Sequence, residues 1–264
     1  MRLVRYLAGG EVRYGIVEGD RVRELLEPYY VGLIPMQTTR PLAEVDLLAP
    51  SRPSKMVCVG LNYRAHAREV KMAIPEEPVI FLKPTGALLG PGRPIIVPSG
   101  VGRVDYEAEL AIVLGREARG VREDEADSYI LGYTCFNDVT ARDLQAKDGQ
   151  WTRSKSFDTF GVLGPWIETD VGDPHDLAVT CRLNGQVRQQ SRTSDLAFGC
   201  RRLVSWVSRV MTLQAGDVIA TGTPAGIGPM QPGDTVEVEV ERIGVLGNPV
   251  AAEPPGGPAP GRVV

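Results

Sequence analysis

Residues 105–115 read "DYEAELAIVLG", three acids at alternate positions running into an unbroken apolar stretch closed by Gly115. An apolar run of this length bounded by turn residues predicts a strand entering a core. In a strand, Asp105, Glu107 and Glu109 share one face, with about 7 Å between successive same-face positions. Like charges that close are costly, more so if buried. Spacing alone leaves two readings open: a cation removes the cost, or the strand is an edge with an acidic solvent face. All-oxygen ligation would select a hard ion, Mg²⁺, Mn²⁺ or Ca²⁺.

Outward from this strand the chain keeps the same character. "KMVCVGLNY", "VIFLKP", "YILGYTCFND", "DVIATGTP" and "DTVEVEVERIGVLGN" read as further strands. "VRYGIVEGDRVREL" predicts a hairpin turning at Glu18-Gly19-Asp20, and "AVTCRLNGQVRQQ" one turning at Asn184-Gly185. "VTARDLQAKDG" predicts a short helix ended by Gly149. Ser194 and Asp195 predict the cap of a longer helix, about 194–212. There is no βαβ rhythm and no repeat. The expected fold is mainly β (α+β), a mixed β-sheet roll or sandwich with a few short helices, rather than a doubly wound sheet. "LLAPSRPSK" predicts a boundary near residue 50, between a small N-terminal β domain (1–50) and a larger second domain (51–264). The tail from about 251 is expected to be flexible.

Composition narrows the function. The 264 residues carry a net charge of −4, against the basic footprint of a nucleic-acid binder. No apolar run reaches the roughly 18 residues of a membrane span, and the N-terminus lacks a signal core, so a cytoplasmic protein is expected. Cys58, Cys135, Cys181 and Cys200 form no CxxC pair and predict buried reduced thiols. There are only five lysines, so one in a polar motif stands out.

Three further motifs could carry chemistry. In "FNDVTARDLQ", Asp138 ends an apolar run; it reads either as a helix N-cap or as an acid whose face Arg142 and Gln145 share. In "NYRAHAREV", His66 is followed by Glu69 at helical spacing, the pattern of a carboxylate-oriented base. In "TRSKSFDTFG", Lys155 is either a solvated lysine or a cation for a developing oxyanion. His175, in a turn, reads as exposed. The glycines of "IATGTPAGIGPM" lack the GK[ST] of a P-loop; Thr221 and Thr223 could line a carboxylate site there.

The order of "GLNYRAHARE", "FLKP", "DYEAEL", "FNDVTARDLQ", "KSFDTFGVLGP" and "MTLQAGDVIATGTPAGIGPMQPGD" resembles the fumarylacetoacetate hydrolase superfamily over about residues 55–250. The resemblance implies a roll of mixed sheets, a homodimer and a divalent metal, Mg²⁺ or Mn²⁺, held by Glu107, Glu109 and Asp138. It implies no direct metal bond for Asp105. It implies a His66–Glu69 dyad on a mobile lid, a catalytic Lys155, and Arg142, Gln145 and Thr223 holding a small-molecule 2-oxo or enol acid. Val162 replaces a proline common in relatives. The implied activity is isomerisation of a 2-hydroxy-dienoic diacid first, C–C hydrolysis of an acylpyruvate next and oxaloacetate decarboxylation third. A structural ion site without turnover is the non-enzymatic alternative.

Overall fold

The computed structural model describes residues 1–254. Strands take 43% and helices 17%, so the molecule is the mostly β structure that the alternating segments predict. The largest of three sheets has twelve strands. Its main path runs Pro35–Pro41, Arg21–Leu25, Glu11–Glu18, Arg2–Ala8, Gly161–Glu168, Ile130–Asp138, Ala108–Leu114, Val218–Ala220, Met56–Gly60 and Val79–Lys83. The first fifty residues therefore continue the main sheet, since Leu3 pairs with Ile167 and Arg2 with Glu168. A five-stranded sheet runs Gln186–Arg192, Ala178–Leu183, Thr235–Val240, Gly244–Ala252 and Ile95–Val97. A small third sheet joins Thr140–Ala141, Val104–Tyr106 and Gly228–Pro229.

Ala108–Leu114 is the centre of the packing, and every residue in it is buried. Leu110, Ile112 and Leu114 face a core shared with Val179, Cys181, Val236 and Val238 of the five-stranded sheet. Ala111 and Val113 face a second core with Met56, Cys58, Phe136 and Leu163. Alternation is invisible in the sequence here because both faces are apolar. The acidic-edge reading of this strand is thereby excluded: Glu109 points into the second face, 1% exposed.

Both predicted hairpins form. Glu18 pairs with Arg21. At the other turn Asn184 and Gly185 both have positive φ, +53° and +75°, as a two-residue turn of matching twist requires. The short helix spans Arg142–Asp148, ended by Gly149 at φ +68°. It begins after Ala141, so Asp138 is the last residue of a strand and not a helix cap.

The longer helix is Cys200–Val210, with Gly199 at its N-cap. The expected start at residue 194 is wrong, because Tyr63 bridges Leu196 in extended pairing and the Asp195 carboxylate accepts from Ala65 N–H (3.0 Å). The cap-like acid serves a different helix. His175 is not simply exposed either: its Nε2 accepts Cys200 N–H (3.0 Å) at the start of this helix.

The tail expectation fails at its beginning. Ala251 and Ala252 pair with Ile96 and Val97, and Glu253 accepts Ser99 N–H (2.8 Å); the rest of the predicted tail lies outside the described residues. All four cysteines are buried free thiols. Among the described residues, no helix is long and apolar enough to cross a membrane.

Candidate metal and acid–base centre

The predicted acidic strand is broken at Glu107. Val104–Tyr106 belongs to the small sheet and Ala108–Leu114 to the large one. Its partner switches at the same level: Ala108 pairs with Asn137, whereas Asp105 pairs with Thr140. The break is stitched by side chains. Asn137 Oδ1 accepts Glu107 N–H (2.9 Å) and Gln189 Oε1 accepts Ala108 N–H (2.9 Å). The common face predicted for all three acids therefore does not exist. Asp105 instead is held by Arg103 (2.6 Å) and Arg142 (3.0 Å).

The break brings Glu107 and Glu109 up to Asp138, at the end of the neighbouring strand. One oxygen from each of these buried carboxylates lies within 4.8 Å of the others. Lys155 Nζ sits on two of them, 2.8 Å from Glu107 Oε2 and 2.8 Å from Asp138 Oδ2. It is 2% exposed, which excludes the solvated-lysine reading. The other Asp138 oxygen is bound by Lys83 Nζ, which also donates to Val139 O (3.0 Å). Lys83 was missed as a site residue, although its place at the end of the apolar "VIFLKP" and the scarcity of lysine both flagged it.

Electrostatics divide the acids. Burial acts to raise the Glu107 carboxyl, but Lys155 and Arg142 prevail and hold it down at about 2. Burial, then the charges of Asp138 and Glu107, push Glu109 well above the usual carboxylate range. The bond to Glu109 Oε2 is a backbone one, from Gly222 N–H (2.7 Å). A buried acid strained by like charges fits a hard divalent cation, as do three converging oxygen donors. Burial opposes the Lys155 charge, yet Asp138 and Glu107 raise its pKa, so it is an ammonium at neutral pH.

The predicted dyad forms on the six-residue helix Arg64–Glu69. His66 Nδ1 lies 2.9 Å from Glu69 Oε2. A carboxylate can only accept there, so Nδ1 carries a proton, and in the neutral ring the lone pair falls on Nε2. The second Glu69 oxygen accepts Gly226 N–H (2.9 Å). His66 is buried and stands close enough to Glu107 that a protonated ring would help hold that carboxyl down.

The residues expected to hold substrate are occupied within the protein. Arg142 reaches Glu107 Oε1 (2.6 Å), Asp105 and Gln145 Oε1 (2.7 Å). Thr223 donates its hydroxyl to Ala108 O (3.0 Å) and accepts from Gln189 Nε2 (2.8 Å). With its proton committed, the Thr223 hydroxyl has only acceptor capacity left for a ligand. Gln189 and Asn62, both buried, were missed; neutral amides in loops and edge strands give no charge pattern to read. A cavity of about 610 Å³ lined by Asp127, Tyr133, Asp173, His175 and Arg201 shares no residue with this cluster.

The buried oxygen triad, two lysines and the imidazole–carboxylate pair meet at one strand junction, a donor set that fits a hard divalent ion. The sequence profile described as fumarylacetoacetate (FAA) hydrolase C-terminal matches residues 55–251, and one described as Rv2993c-like N-terminal matches residues 1–50. The chain belongs to the fumarylacetoacetate hydrolase family.

It is 49% identical to the solved 5-carboxymethyl-2-hydroxymuconate delta-isomerase of Mycobacterium smegmatis, with TM-score 0.91 over 96% of this chain and 100% of that one. It is 47% identical to the 2-hydroxyhepta-2,4-diene-1,7-dioate isomerase of Mycobacterium marinum, with TM-score 0.88 over 96% and 98%. It is 32% identical to a maleylpyruvate hydrolase of Sphingobium sp. SYK-6, solved with manganese(II) and pyruvate, with TM-score 0.81 over 96% and 99%. The mitochondrial oxaloacetate tautomerase FAHD2A of Bos taurus is 44% identical over 80% of this chain and 71% of its own.

Proposed function

We propose that the chain is a divalent-metal-dependent enzyme of 2-oxo and enol acids. We further propose that its reaction is isomerisation of a 2-hydroxy-dienoic diacid such as 2-hydroxyhepta-2,4-diene-1,7-dioate. The observation that carries this reading is the His66–Glu69 pair, a base of fixed tautomer beside the Glu107–Glu109–Asp138 triad. The two solved isomerases support it by similarity.

A divalent ion held by the three carboxylates would supply Lewis acidity toward the 2-oxo oxygen. The chain's own groups do the rest. Lys155 supplies a positive charge for the oxygen that becomes anionic. Arg142 and the Gln145 amide orient the acid end, and Thr223, whose proton is committed to Ala108 O, contributes only as an acceptor for a protonated oxygen. His66 Nε2 takes the enol hydroxyl proton and returns it to a carbon of the conjugated chain. One O–H bond is lost, one C–H bond forms, the double bonds shift, and no atom is gained or lost. Tautomerisation of oxaloacetate is the same transfer on a shorter diacid.

A second reading is supported by the maleylpyruvate hydrolase: His66 would then deprotonate water for C–C cleavage of an acylpyruvate. One experiment separates them. A panel of hydroxydienoate, acylpyruvate and oxaloacetate substrates with Mg²⁺ is followed by NMR in D₂O. Isomerisation gives a double-bond shift with deuterium on carbon and the chain intact. Cleavage products or CO₂ without that shift would replace it by hydrolysis or decarboxylation. No turnover on any member would leave the carboxylates as a structural ion site.

A further inference from the structure

The helix that carries His66 and Glu69 has six residues and no side-chain bond at its own N-cap, Tyr63. A helix so short does not persist on its own. Its position is set by what holds its ends. Its anchors include Arg64, which donates to Asp195 O and Leu196 O, the Asp195 carboxylate on Ala65 N–H, and Gly226 N–H on Glu69. Asn62 is different, being 1% exposed.

Asn62 uses both polar groups of its side chain and its backbone carbonyl. Its Nδ2 donates to Thr221 O (2.7 Å) and Phe198 O (3.0 Å), and its Oδ1 accepts Phe198 N–H (2.8 Å). Its backbone carbonyl accepts Ala197 N–H (2.7 Å). The residue after Thr221 is Gly222, whose N–H holds Glu109. Gly222 has φ +99°, and a Cβ there would come within 2.9 Å of the Asn62 Cβ. One amide thus joins the base of the dyad helix to the turn that holds a carboxylate of the triad.

We infer that Asn62 is a positioning residue that keeps His66 in register with the Glu107–Glu109–Asp138 cluster. The inference rests on the proposed role of the dyad at that cluster. Asn62 touches neither His66 nor a carboxylate; it acts through the helix on one side and Gly222 on the other. Without its amide, the carbonyls of Thr221 and Phe198 lose their donors, and the helix keeps the Arg64, Asp195 and Gly226 contacts and the Tyr63–Leu196 bridge but loses its tie to the Gly222 turn.

The test compares wild type with Asn62→Ala, using readouts beyond turnover. Folding is checked by circular dichroism and thermal midpoint, and Mn²⁺ affinity by calorimetry. The modification of His66 by diethyl pyrocarbonate is measured by mass spectrometry against His175, the other histidine. In folded Asn62→Ala the ratio of His66 to His175 modification should rise on the order of tenfold, with faster amide exchange over residues 63–70. Mn²⁺ affinity should stay within about threefold, and kcat should fall by about tenfold to a hundredfold for a misplacement near 1 Å.

An unchanged modification ratio and unchanged exchange would overturn the inference, as would Mn²⁺ affinity lost in parallel. If Asn62→Ala does not fold, Asn62→Asp keeps the bond from Phe198 N–H, loses the donated ones and carries the same readouts. Should wild type process no 2-oxo acid, the functional proposal fails, while the modification and exchange results still decide the role of Asn62.

Discussion

Replacing Glu109 by glutamine should make the metal-free protein more stable and the metal-loaded protein less so. In the cluster, Glu109 lies within 4.8 Å of ligand oxygens of Glu107 and Asp138. At an effective dielectric constant of about 20, each like pair at that distance costs about 3 kcal/mol. Lys155 and the Gly222 N–H return part of this, but the balance stays against the charge, since the carboxyl is pushed well above its usual range. Glutamine keeps an acceptor for Gly222 and brings an amide donor toward the two remaining acids. A net gain of about 1–2 kcal/mol follows because glutamine escapes this repulsion without having to take up a proton on folding, or roughly 3–6 °C in thermal midpoint for a chain of this size.

The sign can be read through pH. Glu109 keeps its proton in the fold at pH values where the unfolded chain has lost it. Its contribution to stability is full below the ordinary glutamate value and declines as pH rises above it. Glutamine has no such decline, so the advantage of the variant in chelator should widen from pH 5 to pH 8. Mn²⁺ at a hundred times its Kd should add about 2.7 kcal/mol to wild type and much less to the variant, reversing their order. Differential scanning fluorimetry with EDTA and with Mn²⁺ reads both. A variant less stable than wild type in EDTA at pH 8, or an equal Mn²⁺ shift in both proteins, would refute the electrostatic account.

Two other substitutions test the neighbouring structure. Lys83→Met leaves a buried Asp138 oxygen without its ammonium partner and should cost about 3 kcal/mol by urea unfolding; a loss below about 0.5 kcal/mol would mean the pair is not formed as described. Gly132→Ala puts a Cβ 2.5 Å from Glu168 O, where the strand Ile130–Asp138 passes the junction with the N-terminal strands. It should cost about 1–3 kcal/mol by overpacking, and unchanged unfolding would show that the junction yields.

What could be read from the sequence follows from the cost of burying each residue type. A carboxylate beside an apolar run is expensive to bury, which raised the question at Glu107 and Glu109; spacing left a cation and a solvent face level, and the grouping with Asp138 came from the family resemblance. His66 and Glu69 were legible because three residues of helical spacing bring them together without help from the rest of the chain. Asp105 was misread for a complementary reason: the two-residue period holds only while the strand stays in one sheet, and the break at Glu107 depends on Asn137 and Gln189, contacts supplied from other strands.

Lys155 could not be settled because its neighbours in sequence are polar, while its neighbours in space are acids. Asn62 and Gln189 left no trace at all. A neutral amide is tolerated in a loop, on an edge or in a core, so neither its type nor its spacing distinguishes a buried cross-link from a solvated side chain. The acids and the dyad of such a site therefore leave a mark in the sequence, while its buried lysines are settled only by the fold. The amides that fix how the strand and the dyad helix meet become visible only once the backbone shows which carbonyls and N–H groups they satisfy.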